Sequence, residues 1–180
     1  MQRIQKNDYV AFEELHKRYS KRLLHFMYKM LNNDDERAQD LLQDLFLKIV
    51  ERPDMFDTNK KFYSWVFTVA ANLCRNEYRK PDFIDISTDE YETSEFSKSM
   101  DGLIAQFDAK VFSKHLGKAL DHLEHEQKET FILRFQEGFS LKEIAEIMNC
   151  SLGTVKSRVF YSTRKLAKEL EEFRPLLKKM

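Results

Sequence analysis

Breakers of regular backbone are scarce in this chain: 180 residues carry four glycines and three prolines. Gly102, Gly117, Gly138 and Gly153, with Pro53, Pro81 and Pro175, leave long stretches uninterrupted. Proline stops a helix and glycine loosens one, so stretches without either favour helices of many turns. No segment sustains the two-residue apolar alternation of a half-buried strand. The expected fold class is all-α.

Apolar residues recur at three- and four-residue intervals over 8–31, as Phe12, Leu15, Tyr19, Leu23, Phe26 and Met30, which predicts a first helix. A second is expected over 34–51. Its acidic start, Asp34, Asp35 and Glu36, suits the helix dipole, and Pro53 ends it. The polar run 54–61 reads as a loop. A third long helix is expected over 62–79, with Phe62, Val66, Val69 and Leu73 as its inward stripe and Pro81 as its stop. Residues 82–100 are acidic and rich in Ser and Thr, with little apolar periodicity, which is the composition of a linker. Patterning resumes near Phe107. The organisation read from this is two small helical domains, 1–80 and 107–180, joined by an acidic flexible tether at 81–106.

Residues 140–166 carry the most specific functional signal. Ser140 and Glu143 form an S-x-x-E capping box at a helix start. Leu141, Ile144, Ala145 and Met148 follow as a buried face, Asn149–Cys150 sits where the helix must turn, and Ser151 can cap a second helix. Val155, Val159, Ser162 and Leu166 point that helix inward. At about 100° per residue, Ser157, Phe160, Tyr161 and Arg164 lie on the other side, flanked by Lys156 and Arg158. Two short helices with a tight turn and a basic, aromatic outer face form the layout of a helix-turn-helix, whose second helix enters the DNA major groove. The competing reading is an amphipathic hairpin with a solvated basic face.

Formal net charge is zero, yet the charges are segregated. Residues 151–168 hold Lys156, Arg158, Arg164, Lys165 and Lys168 with no acid, whereas 81–109 hold eight acids against Lys98. Separate surfaces for separate partners are implied. Two lone cysteines, Cys74 and Cys150, fit a reducing compartment better than a disulfide framework. No apolar run approaches the roughly 18 residues of a membrane span, and the first ten residues lack a signal-peptide core, so cytoplasmic residence without membrane insertion is expected. No phosphate-binding glycine loop, nucleophile elbow or catalytic carboxylate pair stands out, so no enzymatic activity and no cofactor are expected. His115, His122 and His125 fall near one helical face, but no cysteines or further ligands complete a metal shell around them.

On helix 62–79, Trp65, Thr68, Asn72 and Arg79 share a face with Arg75 and Asn76 beside it. An aromatic ring, an amide and guanidinium groups together suit single-stranded nucleic acid: rings stack on unpaired bases and cations follow phosphates. Trp65 as plain core is the alternative. On helix 34–51, Asp40, Gln43 and Asp44 point outward, a patch that repels DNA and either is merely solvated or meets a basic protein surface.

Taken together the chain resembles an extracytoplasmic function (group 4) sigma factor, a bacterial RNA polymerase initiation subunit. The family's motif A-x-D-L-x-Q-[ED]-x-F-x-[KR] is present as Ala38, Asp40, Leu41, Gln43, Asp44, Phe46 and Lys48. A second, F-x-x-W-[LV]-x-x-[IV]-A-x-N, is present as Phe62, Trp65, Val66, Val69, Ala70 and Asn72, and the third spans Ser140 through Arg158.

The resemblance implies that Asp40, Gln43 and Asp44 meet the clamp helices of the polymerase β′ subunit, and that the β subunit is also a partner. It implies that Phe56, Asp57, Thr58, Asn59, Lys60 and Lys61 form the loop capturing a flipped −10 base. Asn72 would help form that base's pocket, with Trp65, Arg75 and Arg79 nearby. Arg134, Thr154, Lys156, Ser157, Arg158, Phe160, Tyr161 and Arg164 would face the −35 element. Promoter DNA, core polymerase and an anti-sigma factor are the implied partners, and the tether would thread the polymerase channels. A stand-alone helix-turn-helix regulator is the runner-up, and a module that binds only proteins is a third reading.

Overall fold

Among the described residues, each side-chain helix cap comes from the residue just before the helix. In the computed structural model, which describes residues 1–80 and 103–173 (side chains from 111 in the second stretch), the described residues form helices and no strand. The expected tether, residues 81–106, lies outside the described residues except for its last four, which already belong to a helix.

Helix α1 spans Tyr9–Met30, and the Asp8 carboxylate accepts from the Ala11 amide at 3.1 Å. Helix α2 spans Asp35–Glu51, capped by Asp34 on the Arg37 amide at 3.0 Å. The α1–α2 turn runs through Asn32 and Asn33, both left-handed (φ 55° and 66°), a conformation asparagine tolerates better than most side chains. A 3-10 turn at Pro53–Met55 leads into the loop before α3, Phe62–Tyr78.

Helix α4, Leu103–Asp121, begins ahead of the Phe107 expected from patterning. Then come α5, His125–Phe131, and a π-helical turn at Ile132–Gln136. Gly138 turns the chain at φ 77° and delivers Phe139 inward. Helix α6, Leu141–Ile147, carries the expected capping box, and α7, Leu152–Glu169, is capped by Ser151 on the Thr154 amide.

The two halves pack as one body. Helices α1, α2 and α3 enclose Leu23, Phe26, Met27, Leu45 and Phe67, all 0% exposed, and this core continues into Ile132, Leu133, Phe139, Ile144, Ile147 and Val155 of the second half. A ring ladder marks the crossing: Phe26 meets Phe67 at 5.3 Å, Phe67 meets Phe139 at 5.2 Å, and Tyr63 stacks on Phe139 at 4.7 Å. A smaller cluster, Ala119, Leu120, Leu123 and Leu166, ties α4 to α7.

This packing corrects the inward stripe expected for α3. Of Phe62, Val66, Val69 and Leu73 only Val66 is fully buried; the buried set is Val66, Phe67, Ala70, Ala71 and Cys74. The stripe is rotated because α3 buries two flanks, one against α1 and α2 and one against the second half, and the widest overlap of the two decides which residues lose all contact with water.

Two half-buried histidines sit at this junction, and burial lowers the pKa of each below the ordinary 6.5. For His125, burial is the first cause; its ring lies against Tyr78 at 4.0 Å, and Glu126, Lys128 and Glu129 are the charges near it. For His25, burial again leads and the Lys29 ammonium adds to it. Above pH 6.5 both rings are neutral folded or unfolded. Below it the unfolded chain takes up protons that the folded chain rejects, so stability falls as pH drops. Urea titrations between about pH 7.5 and about pH 5.5 should therefore show a declining midpoint, and His125→Phe should flatten that decline. An unchanged slope in the variant would show that His125 is not the group responsible.

Candidate nucleic-acid interface

Helix α7 owes its orientation to three inward residues. Val155 and Ser162 are fully buried and Leu166 nearly so, and the Ser162 hydroxyl donates to the Val159 carbonyl at 3.1 Å, which satisfies it inside the helix. The opposite face is left to solvent. Lys156, Ser157, Arg164 and Lys165 are exposed, and Phe160 and Tyr161, each 57% exposed, touch edge to face at 5.3 Å. Exposed paired rings beside cations have a large apolar area and no partner among the described residues' core, as a surface built for contact would. Thr154 and Arg158 are half-buried: the Thr154 hydroxyl bonds Ser151 at 2.8 Å, and the Arg158 guanidinium reaches the Cys150 sulfur at 3.8 Å. Arg134 lies apart on the π turn and donates to the Phe139 carbonyl at 2.9 Å, so it braces the approach to α6.

The loop before α3 is held from both ends. Phe56 is 5% exposed, wedged between Phe62 at 5.5 Å and Trp65 at 5.1 Å. Phe56 is thus an anchor for the loop, and Trp65, half-buried, is the wall it leans on. Asp57 folds the tip: its carboxylate accepts from the Asn59 backbone at 3.0 Å and side chain at 3.1 Å, while the Lys60 amide donates to the Asp57 carbonyl at 2.9 Å. Thr58, Asn59 and Lys60 stand exposed on that tip, and Lys61 reaches across to Glu143 of α6 at 3.4 Å. The sequence did not flag Gln5, whose side-chain amide donates to the Pro53 and Phe56 carbonyls at 2.9 and 3.2 Å and pins the loop to the N-terminus.

Farther along α3, Asn72 and Arg79 are exposed, and Arg75 is half-buried. Arg75 is fully engaged: Nη1 donates to the Asn72 side chain at 2.7 Å, Nε and Nη2 make a bidentate pair with Glu129 at 3.1 and 2.9 Å, and Nη2 also reaches the Ile147 carbonyl at 3.3 Å. The Glu129 carboxylate raises the Arg75 pKa further above its ordinary value. Glu129 itself is 0% exposed, a buried charge that nothing in the sequence singled out.

On α2, Asp40, Gln43 and Asp44 are exposed on one face, and Leu47, 54% exposed, extends that face by one turn. Beside it a concavity of about 310 Å³ is lined by Arg37, Asp40, Gln43, Asp44, Glu77 and Lys80, with Lys80 paired to Glu77 at 2.7 Å. An acidic rim with an exposed leucine suits a basic, partly apolar protein helix. Leu47 escaped the sequence reading because a single leucine on a helix is by default counted as core.

The three histidines do not gather. His115 bonds the Val111 carbonyl, His122 pairs with Glu169 at 3.0 Å, and His125 packs on Tyr78 with neither ring nitrogen bonded. Among the described residues no three His, Cys, Asp or Glu side chains converge on one point.

Among the described residues, helices with a solvent-facing, basic helix-turn-helix and a separate exposed acidic face on α2 have the layout of a DNA-binding protein. Comparison with known proteins narrows this. Residues 15–83 match the Sigma-70 region 2 family and residues 114–166 match Sigma-70, region 4. The chain is 33% identical over 137 residues to the ECF RNA polymerase sigma factor EcfG of Rhodopseudomonas palustris, covering 76% of this chain and 73% of that one. It is 29% identical over 180 residues to the ECF sigma factor SigW of Bacillus subtilis, covering 96% and 95%. Among solved structures it matches the sigma factor RpoE of Bartonella quintana, determined in complex with the anti-sigma factor NepR, with TM-score 0.72 and 26% identity over 89% of this chain and 97% of that one. The chain belongs to the extracytoplasmic function sigma factors of RNA polymerase.

Proposed function

We propose that this sigma factor works as a two-part promoter reader: residues 1–80 dock on core polymerase and hold the melted −10 strand, residues 107–180 read the −35 duplex, and 81–106 tether them. The observation that carries this is the pairing, in one chain, of an outward acidic–apolar face on α2 with a basic, aromatic outer face on α7. Asp40, Gln43, Asp44 and Leu47 meet the β′ clamp helices, and the β subunit contacts the second domain. The tip Asp57–Lys61, with Asn72, Arg75 and Arg79 along α3, receives the non-template strand, while Phe56 and Trp65 hold the tip in shape. Thr154, Lys156, Ser157, Arg158, Phe160, Tyr161 and Arg164 face the −35 groove, with Arg134 behind them.

The chain performs no chemistry itself; polymerase does. It acts in the cytoplasm, where polymerase is, and no described helix is long and apolar enough to cross a membrane. Zero net charge keeps its own affinity for bulk DNA low, because nonspecific affinity grows with the number of phosphates neutralised. An anti-sigma factor is a further partner, as the relative bound to NepR has one.

Run-off transcription with sigma-free bacterial core polymerase, on templates including the promoter upstream of this chain's own gene, tests the reading. Discrete transcripts that require the chain and vanish with Asn72→Ala are expected. Tight duplex binding by the chain alone, with no complex on core polymerase, would instead make it an independent regulator. Within the holoenzyme, Lys156→Ala should weaken promoter binding at every sequence and reduce the slope of log affinity against log salt by about 1, the signature of one lost phosphate contact. An unchanged slope would take Lys156 off the DNA.

A further inference from the structure

Two fastenings hold the loop before α3, and they act from different sides. From within, the Phe56 ring is wedged between Phe62 and Trp65 at 5.5 and 5.1 Å. From without, one side chain spans the base of the loop. The Gln5 amide nitrogen donates to the Pro53 carbonyl at 2.9 Å and to the Phe56 carbonyl at 3.2 Å. These carbonyls sit at the two ends of the 3-10 turn Pro53–Met55, and the second immediately precedes the tip at Asp57.

The place of Gln5 is determined by its own neighbours. Ile4, 5% exposed, is anchored in the main core. The short turn Ile4–Lys6 closes through the Lys6 amide on the Arg3 carbonyl at 3.0 Å and the Asn7 amide on the Ile4 carbonyl at 2.9 Å. Asn7 then reverses the chain at φ 61°, a conformation asparagine tolerates, and Arg3 pairs at 2.7 Å with Asp8, the residue that caps α1. The turn is thus tied to α1 on one side, and Gln5 ties it to the loop on the other.

The exit of the loop lacks such a device. Helices α1 and α2 start on capping carboxylates, whereas α3 starts on Lys61 with no side-chain cap. Thr58, Asn59 and Lys60 stand exposed on the tip, shaped by the bonds of Asp57. A loop that must be ordered as it binds loses affinity to the cost of ordering, and one fastened beforehand keeps it.

We propose that Gln5 is a positioning residue for base capture: by bridging the Pro53 and Phe56 carbonyls it presets the Asp57–Lys61 tip in the conformation that receives an extruded base of the non-template strand. The inference rests on the assignment of that tip to the −10 strand. Gln5 touches no DNA in this role; it acts through the backbone on which the tip is mounted.

The test is made on holoenzyme reconstituted from bacterial core polymerase and the full chain. The probe is a single-stranded non-template oligonucleotide from the promoter upstream of this chain's own gene, intact or with one abasic nucleotide at each position in turn. Gln5→Met keeps the length of the side chain and removes the donor. It is expected to weaken binding of the intact oligonucleotide about fivefold, the order set by two modest hydrogen bonds. The abasic substitution that costs the parent most should cost the variant correspondingly less, a readout that a general loosening of the fold would not move. Affinity for core and helical circular dichroism should stay parental, while amide exchange at Asn59 and Lys60 of the free chain should quicken. Parental affinity with an unchanged abasic profile would overturn the inference, and so would a loss matched by an equal loss of core affinity. Unchanged exchange and binding in the variant, with a clear abasic profile in the parent, would refute the role of Gln5 and leave the −10 assignment standing. If exchange quickens but the parental holoenzyme binds the strand no better than core alone, the −10 assignment fails and the inference falls with it.

Discussion

Reversing the charge of the α2 face, Asp40→Arg with Asp44→Arg, is expected to abolish the complex with core polymerase while leaving the chain folded. Both carboxylates are exposed, and neither has a hydrogen bond or ion pair among the described residues, so substitution removes no packing there. At the interface the effect is large because sign, and not contact, is changed: like charges brought together at a docked surface cost several kcal/mol. Affinity should fall at least about hundredfold, and the loss should shrink as salt rises. Native gels or fluorescence anisotropy with labelled chain measure it. Leu47→Ser should add a smaller, salt-independent loss, since it removes apolar area from the same face. If the charge-reversed chain still binds core with parental affinity, the docking surface lies elsewhere.

The second large effect concerns stability. Phe67→Ala should cost about 3–5 kcal/mol, read as a lower urea midpoint by circular dichroism. Phe67 is 0% exposed and its ring meets Phe26, Tyr63 and Phe139 at 5.3, 5.0 and 5.2 Å. Its nearest turns along α3 carry Ala70 and Ala71, too small to fill the void. A small domain has about 5–15 kcal/mol to lose, so the variant should be near its unfolding threshold at room temperature. Val69→Ala, on the half-buried flank, should cost far less. Equal costs at the two positions would restore the inward stripe read from periodicity alone.

That contrast shows where sequence reasoning reached its limit. Caps and turns were legible because they are local. Ser140 and Ser151 bond amides three residues away and the Ser140–Glu143 box closes as read, while Asp8 and Asp34, not read as caps, hold α1 and α2 by the same local bond. Left-handed Asn149 falls at the turn where the break was expected. The outward set on α7 was legible for the same reason: one buried stripe determines its opposite face. The site residues divide differently. Phe56 and Trp65 are indistinguishable from bases' stacking partners in sequence, yet in the fold they pack edge to face on each other. Arg75 was placed beside the nucleic-acid face, and its occupation by Glu129, 54 residues on, has no local trace. The acidic tether, whose composition suggested a partner of its own, lies outside the described residues and adds nothing to this comparison.

By itself the sequence determined what depends on neighbours within about one helical turn: the all-α class, the approximate limits of the first three helices, the helix-turn-helix and the acidic face of α2. Hydrogen bonds to the next turn and the 3.6-residue period are set by short-range geometry, and both are written in residue spacing. The tertiary structure alone decided how α3 is rotated, that Glu129, Lys128 and Glu137 are buried charges, and that both halves share one core. Those outcomes depend on which surfaces far apart in the chain exclude water together. Such a choice is made by the summed area of contact and by the pairing of charges across it, and no single stretch of sequence carries either quantity.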